Sequence, residues 1–329
     1  MRIGVFCSGG DAPGMNACIR AVVRSAIVAG HEVIGIRRGY QGLLEEDFFV
    51  NAEGIRLMKL RSVSDVCKLG GTMLGTSRCE EFRTEAGVKK AASVLQRHGI
   101  HALIPIGGDG TFHGAVALAR HWKGRIIGCP GTIDNDLMGT DFTIGFATAV
   151  ATAVDCIDKL RDTAESHERL LLVEVMGRHS GYIGLFSALA GGAEVAAVPE
   201  TNTEIPVIAQ HLQVLKARGK KSIMIVVSEG DEVGGADALA EGLNQAGCPF
   251  DARVVKLGHL QRGGSPTPAD RILASRLGDF AVRSLLAGQT GSMAGEIHDE
   301  LVLTPFEDTY AAHRPLPESL LELLKTLAN

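Results

Sequence analysis

The sequence predicts an α/β protein of two domains, with parallel sheets covered by helices on both faces. Short apolar runs alternate with longer amphipathic ones, and the runs are nearly continuous in apolar residues, as strands buried on both faces require. The 329 residues also exceed one domain of about 150. In chain order, strands are expected at Arg2–Cys7, Glu32–Ile36, Ala102–Ile106, Arg125–Cys129, Leu170–Val175, Val195–Val198, Ser222–Val227 and Arg253–Leu257. Between them, helical spacing of apolar residues is expected over Met15–Ala29, Glu85–His98, Phe112–His121, Phe146–Arg161, Ile205–Ala217, Ala236–Ala246 and Ala269–Leu286. A change of texture near Gly145, where a long helical pattern begins, marks the expected domain boundary; no Pro/Ser linker does.

Lys plus Arg number 33 and Asp plus Glu 38, a formal charge of −5 that argues against a general nucleic-acid or anionic-membrane surface. Aromatic residues make up 5%, too few for base-stacking platforms. The 41 glycines are about 12% of the chain against an ordinary ~7%, so many loops must bring backbone close to a ligand. The cysteines (Cys7, Cys18, Cys67, Cys79, Cys129, Cys156 and Cys248) are scattered, with no Cys-x-x-Cys pair. That pattern predicts reduced thiols in a cytoplasmic protein, without a zinc cluster or disulfide framework. Arg2–Cys7 is too short for the apolar region of a signal peptide. No run reaches the ~18 apolar residues of a membrane span.

Three glycine-rich loops carry the chemistry. Ser8-Gly9-Gly10-Asp11-Ala12-Pro13-Gly14 joins a strand to a helix, where glycines let backbone N–H groups approach an anion at the helix N-terminus. Neither G-x-x-x-x-G-K-[ST] nor G-x-G-x-x-G fits it, and a tight turn is its plainer use. Ile106-Gly107-Gly108-Asp109-Gly110-Thr111 echoes its Gly-Gly-Asp after another strand. A carboxylate inside a phosphate loop makes sense where Mg²⁺ is shared with the phosphates; a helix cap is the alternative. Pro130-Gly131-Thr132-Ile133-Asp134-Asn135-Asp136 sets two carboxylates two residues apart, one for metal and one for a substrate hydroxyl. A calcium loop starting at Asp134 fails, because Gly145 stands where its bidentate Glu belongs. In the second half, Arg169, Arg178, Arg253, His259 and Arg262 recur at loops. Guanidiniums suit phosphate monoesters through bidentate bonds, although each is also compatible with an exposed ion pair. Residue chemistry alone reaches a small-molecule kinase without naming the molecule.

At these residues the sequence resembles the 6-phosphofructokinases. The likeness is carried, in order, by Ser8–Arg20, Gly70–Arg78, Gly107–Thr111, Pro130–Gly145, Val173–Arg178, Gly258–Pro266 and Asp270–Gly278. It runs to about Gly288, and the tail beyond matches poorly. The resemblance implies two similar three-layer lobes with largely parallel sheets and an active site in the cleft between them. The ATP-binding lobe would comprise 1-144 and a returning segment of about 262-312; the fructose 6-phosphate-binding lobe would comprise 145-261 and the C-terminal tail. It further implies ATP-dependent phosphorylation of fructose 6-phosphate to fructose 1,6-bisphosphate in glycolysis, by an allosteric cytoplasmic homotetramer. A diphosphate-dependent phosphotransferase is the alternative. A non-catalytic nucleotide sensor is disfavoured by the presence together of Asp109, Asp134, Asp136 and Arg178.

Carried over residue by residue, the resemblance implies these roles. Gly10 would meet the transferred phosphoryl group through its backbone, and Arg78 would reach across the ATP phosphates with Cys79 beside it. Gly110, Thr111 and Gly114 would line the nucleotide pocket, with Asp109 and Asp136 holding Mg²⁺. Asp134 would accept the proton of the sugar 1-hydroxyl, and Arg178 would stabilise transition-state charge. Thr132, Met176, Gly177 and Glu229 would hold the sugar. His259 and Arg262 would bind the 6-phosphate, joined by Arg169 and Arg253 from a neighbouring subunit. Diphosphate-using relatives carry Asp and Lys where this chain has Gly110 and Gly131. An effector site for ADP or phosphoenolpyruvate would use Arg20, Arg24, Arg161, Glu194 and Lys220. One Arg of that pattern is missing: Leu60 stands there, and the adjacent Arg61 would face the opposite way in an extended segment.

Overall fold

The structure is a computed structural model that describes residues 1–167 and 169–328. Its elements fall into two units. The first comprises Met1–Ile133, Leu137–Thr148 and Arg262–His313; the second comprises Asp134–Asp136, Ala149–Gln261 and the tail from Arg314.

In the first unit, β1 (Arg2–Cys7), α1 (Met15–Val28), β2 (Glu32–Gly35) and α2 (Gly39–Glu45) lead to α3 (Glu85–Arg97). Then come β3 (Ala102–Gly107), α4 (Asp109–Ala119), β4 (Arg125–Thr132) and the short β5 (Ile144–Gly145), from which α5 (Phe146–His167) departs. The strands order as β2, β1, β3, β4, with β5 beside the end of β4, and all pair in parallel. Residues of β3 are buried throughout, the mark of a central strand covered on both faces. Because Cys7 pairs with Ile106 and Gly107 with Pro130, the loops after β1, β3 and β4 all leave from one edge. That is where ligands bind in sheets of this kind. One face is covered by α2, α3 and α4 through a core including Leu43, Leu95, Leu103, Phe112 and Leu118. On the other, α1 meets α9 (Pro268–Leu286) so closely that a Cβ on Gly278 would lie 2.8 Å from the carbonyl of Cys18.

In the second unit, β6 (Leu170–Val175), α6 (Tyr182–Gly191), β7 (Val195–Ala197), α7 (Ile205–Ala217), β8 (Ile223–Ser228), α8 (Ala236–Gln245) and β9 (Ala252–Lys256) follow in order. The sheet order is β7-β8-β6-β9, all parallel. Leu212, Leu215, Leu239 and Leu243 bury α7 and α8 against Leu170, Leu172, Ile223 and Ile225.

Besides α2, the short β5 and the two helices after Gly288, two features escape the sequence patterns. β10 (Ser292–Ile297) and β11 (Glu300–Pro305) form an antiparallel hairpin that joins the first sheet through β4 and precedes α10 (Phe306–Thr309). Its turn uses His298 and Asp299 at positive φ rather than glycine, so no Asn-Gly or Gly signal announces it. α6 was also not expected: its residues are buried nearly all round, which erases helical periodicity. The tail ends in α11 (Glu318–Leu327). Leu60 and Arg61 lie in a 3₁₀ turn, Leu60–Val63, not an extended segment, so their side chains diverge by about a third of a turn rather than to opposite faces.

Candidate active site

The first unit assembles the glycine loops into one cluster. Thr111 Oγ1 donates to the carbonyl of Ser8 at 3.1 Å, tying the loop after β3 to the loop after β1. A Cβ on Gly10 would meet the Arg262 guanidinium at 2.6 Å; that guanidinium donates to the Asp11 carbonyl at 3.1 Å. Gly10 therefore lets a basic group lie directly on the first loop. Gly14, at φ 109°, delivers the chain into α1 with no side-chain cap, and the Met15 N–H turns back to the Ala12 carbonyl at 3.2 Å. Asp109 is exposed in the first turn of α4, and its Oδ1 accepts from Gly110 N at 2.6 Å. A Cβ at Gly110 would meet nothing within 4 Å, whereas one at Gly131 would press on Ile106 and Met15 at 2.9 Å. Thr132 lies beside Gly108 at the end of β4. Tyr40 closes the cluster: its hydroxyl donates to the Thr111 carbonyl at 2.7 Å while its ring stacks on Phe82 and abuts Gly114. Arg78 is exposed; Cys79 is half-buried, and burial raises its thiol pKa.

The second unit assembles the carboxylate and the basic groups. Asp134 is 4% exposed, and its Oδ2 stands 3.9 Å from Arg178 Nε. Arg178 is held in the left-handed region at φ 52°, its N–H donating to Glu229 at 3.1 Å. The loop is closed from behind by Gly230, where a Cβ would lie 1.6 Å from the Arg178 carbonyl. Ser180 Oγ donates to the main-chain carbonyl of Asp134 at 2.8 Å, fixing the acid from the same loop. Met176, Gly177, Arg178 and Glu229 thus gather where β6 and β8 end. His259 is exposed in a 3₁₀ turn, Gly258–Arg262, that follows the neighbouring strand β9.

Arg169 and Arg253 do not join them. Both face Asp251, at 3.8 and 2.8 Å, where β6 and β9 begin. A strand of six residues separates that edge from Met176, about 20 Å at ~3.3 Å per residue. Of the effector set, Arg20 and Arg24 are half-buried one turn apart on α1. Arg161 donates to the carbonyls of Gly191 and Gly192, capping α6, and buried Glu194 pairs with Lys220 at 2.5 Å.

Supporting residues that sequence reasoning did not single out are Asn16, Tyr40, Ser180, Gln261 and Asp270. Asn16 is 2% exposed and accepts from Met73 N while donating to Leu69 and Gly70 carbonyls, so it pins the loop leading to Arg78. A polar residue on the buried face of an apolar helix was its only signal. Asp270, 1% exposed, accepts from the N–H groups of Gly145 and Thr148 and from the Thr148 hydroxyl. Burial raises its carboxyl above the ordinary value, against the lowering effect of those donors.

The phosphofructokinase family model matches residues 2–285. The chain belongs to the phosphofructokinase family. A relative from Thermus thermophilus, named ATP-dependent 6-phosphofructokinase 1, is 51% identical over 327 residues, covering 99% of each chain. One from Paenibacillus macquariensis, named ATP-dependent 6-phosphofructokinase, is 49% identical over 99% of this chain and 98% of its own. A solved structure of Pichia pastoris phosphofructokinase in the T-state superposes with a TM-score of 0.85 at 32% identity, over 94% of this chain and 35% of that longer one. The family model ends at residue 285, while the alignments with the bacterial relatives extend over 99% of the chain. As a phosphofructokinase-family chain it has the expected α/β architecture with mostly parallel sheets. Among the described residues no helix is long and apolar enough to cross a membrane, and all seven cysteines are free.

Proposed function

We propose that this chain transfers the γ-phosphoryl group of ATP to the 1-hydroxyl of fructose 6-phosphate, yielding fructose 1,6-bisphosphate in glycolysis. The observation that carries this reading is 51% identity, over 99% of both chains, to a relative named for that activity. Asp134 takes the hydroxyl proton as the oxygen attacks. Arg178, beside it, meets the charge that spreads over the transferred phosphoryl oxygens, where positioning and charge stabilisation supply most of the catalysis. Gly10 and the uncapped start of α1 receive the phosphates through backbone N–H groups, and Arg78, Cys79, Thr111 and Gly114 line the nucleotide site. Thr132, Met176, Gly177 and Glu229 hold the sugar; His259 and Arg262 hold its 6-phosphate.

Asp109 and Asp136 would hold Mg²⁺. Their carboxylate oxygens are the hard donors that ion takes, and its shell is ordinarily completed by substrate phosphates and water rather than by a protein cage. When bound, Mg²⁺ neutralises charge on the nucleotide phosphates.

Arg169 and Arg253 serve the 6-phosphate of a neighbouring subunit. The length of β6 supports this, since it separates both from Met176 of their own chain by about 20 Å. The active form is then a homo-oligomer; by its family resemblance it is a cytoplasmic homotetramer, with an effector site built from Arg20, Arg24, Arg161, Glu194 and Lys220.

Turnover of fructose 6-phosphate with ATP and with diphosphate, measured side by side, tests the reading. Activity with ATP alone is expected. Gly110→Asp, which fills the open space at that loop, should cut kcat/KM for ATP by about tenfold or more, equivalent to ~1.4 kcal/mol. Comparable kcat/KM for the two donors overturns the proposal.

A further inference from the structure

We propose that Gln261 is a positioning residue for the sugar-phosphate half of the reaction, a buried amide that locks the turn bearing His259 to the loop bearing Met176 and Arg178. β6 and β9 are parallel neighbours in register from Leu170 with Ala252 to Glu174 with Lys256, so both loops leave the same edge of the sheet. The last main-chain bond between them runs from Leu257 N to the Glu174 carbonyl at 3.0 Å. Beyond that point Gln261 continues the connection. Its Oε1 accepts from Met176 N at 3.3 Å and its Nε2 donates to the Gly258 carbonyl at 3.1 Å.

The turn buries its amide and exposes its leucine. Gln261 is 0% exposed while the preceding Leu260 is 65% exposed. Hydrophobic burial alone would choose the reverse, turning the turn by one residue to bury the leucine and release the amide. A buried amide is tolerated only where both its ends are satisfied. Here they are satisfied by two main-chain groups, one from each loop. Rotating the turn by one residue would also swing His259 away from its present direction. A residue that merely filled space would not need both a donor and an acceptor.

This inference rests on the fructose 6-phosphate reading above, and Gln261→Glu tests it in the assembled enzyme. The carboxylate still accepts from Met176 N but cannot donate to the Gly258 carbonyl; once protonated, it can do both. The expected result is a KM for fructose 6-phosphate raised about tenfold at pH ~8, with the KM for ATP within about twofold of wild type. The ratio of mutant to wild-type KM should fall toward one as the pH is lowered to ~6, because a buried carboxyl titrates above its ordinary range. Calorimetric affinity for fructose 6-phosphate should move in parallel. Loss of folded protein alone would lower apparent kcat and leave both KM values and their pH ratio untouched; that result overturns the proposal. If Gln261→Glu does not accumulate, Gln261→Met, which satisfies neither main-chain group, should raise the same KM, and an unchanged value overturns it. A wild-type enzyme that phosphorylates no fructose 6-phosphate overturns the underlying reading instead.

Discussion

Removing the Asp270 carboxylate should destabilise the first unit without touching a substrate. Its oxygens take the Gly145 N–H at 2.8 Å, the Thr148 N–H at 2.7 Å and the Thr148 hydroxyl at 2.5 Å, all at the start of α5. Asp270 belongs to the first turn of α9, so one carboxylate from a remote segment caps the start of α5. Asp270→Ala strands these donors in a dry site. Each buried donor without a partner costs about 1–3 kcal/mol, and relief of the carboxylate's own desolvation offsets part of the sum, leaving about 3–5 kcal/mol. At ~2–4 °C per kcal/mol for a unit of this size, the melting midpoint should fall by about 10 °C. Asp270→Asn keeps one acceptor but turns an NH₂ toward a donor, so it should lose about 1–3 kcal/mol. Calorimetric melts of the three proteins at neutral pH provide the test. Burial leaves the native carboxyl titrating above 3.8, so the folded protein retains this proton to higher pH than the unfolded chain. Its contribution to stability therefore declines as pH rises from that value through the native one, and the deficit of Asp270→Asn should narrow over the same window. Asp270→Ala melting within about 2 °C of wild type would refute the capping argument.

Asp134→Asn should lower kcat by ~10²–10⁴ with ATP affinity retained, as expected of a general base; steady-state kinetics and nucleotide binding check this, and near-normal turnover would remove Asp134 from that role. Reassembling inactive Asp134→Asn with inactive Arg169→Ala should regenerate some intact sites, since each parent supplies what the other lacks; hybrids that stay inactive although both parents reassemble would place the two residues in one chain's site. Leu60→Arg should tighten the response to ADP or phosphoenolpyruvate by one phosphate contact, ~1–3 kcal/mol, read from fructose 6-phosphate saturation curves; no change would mean that Arg61, on the same 3₁₀ turn, already serves. Alkylation followed by mass spectrometry at pH ~8 should leave Cys7, Cys18 and Cys129 unmodified until the chain is denatured, because burial pushes the Cys7 thiol up to about 12 and all three are buried; labelling of Cys7 as fast as half-buried Cys67 would contradict this.

The parallel strands and amphipathic helices were legible because their periods differ and their boundaries carry glycine. The Gly-Gly-Asp loops were legible for the same reason: a strand that ends in glycines and reopens as a helix has little use other than a tight turn or an anion. What the patterns hid was whatever tertiary contact satisfies. The α6 helix has no amphipathic period because both its faces are covered, and the β10–β11 hairpin turns on His298 and Asp299, residues with no local turn signature. Asn16, Ser180, Gln261 and Asp270 look like ordinary polar residues in sequence, yet each is buried and bonded to main chain far along the chain.

By itself, then, the sequence determined the α/β class, the three glycine-rich loops that follow the strands, and the family. Only the tertiary structure decided how those loops are held. Arg178 faces Asp134 because Glu229 and Gly230 trap its backbone in the left-handed region. Arg169 and Arg253 fall at the far edge of the sheet because β6 and β9 are parallel and in register. The division has a physical reason. Periodicity and loop chemistry are written in neighbouring residues, whereas the partner of a buried polar group is chosen by which distant segments the fold brings within about 3 Å of it.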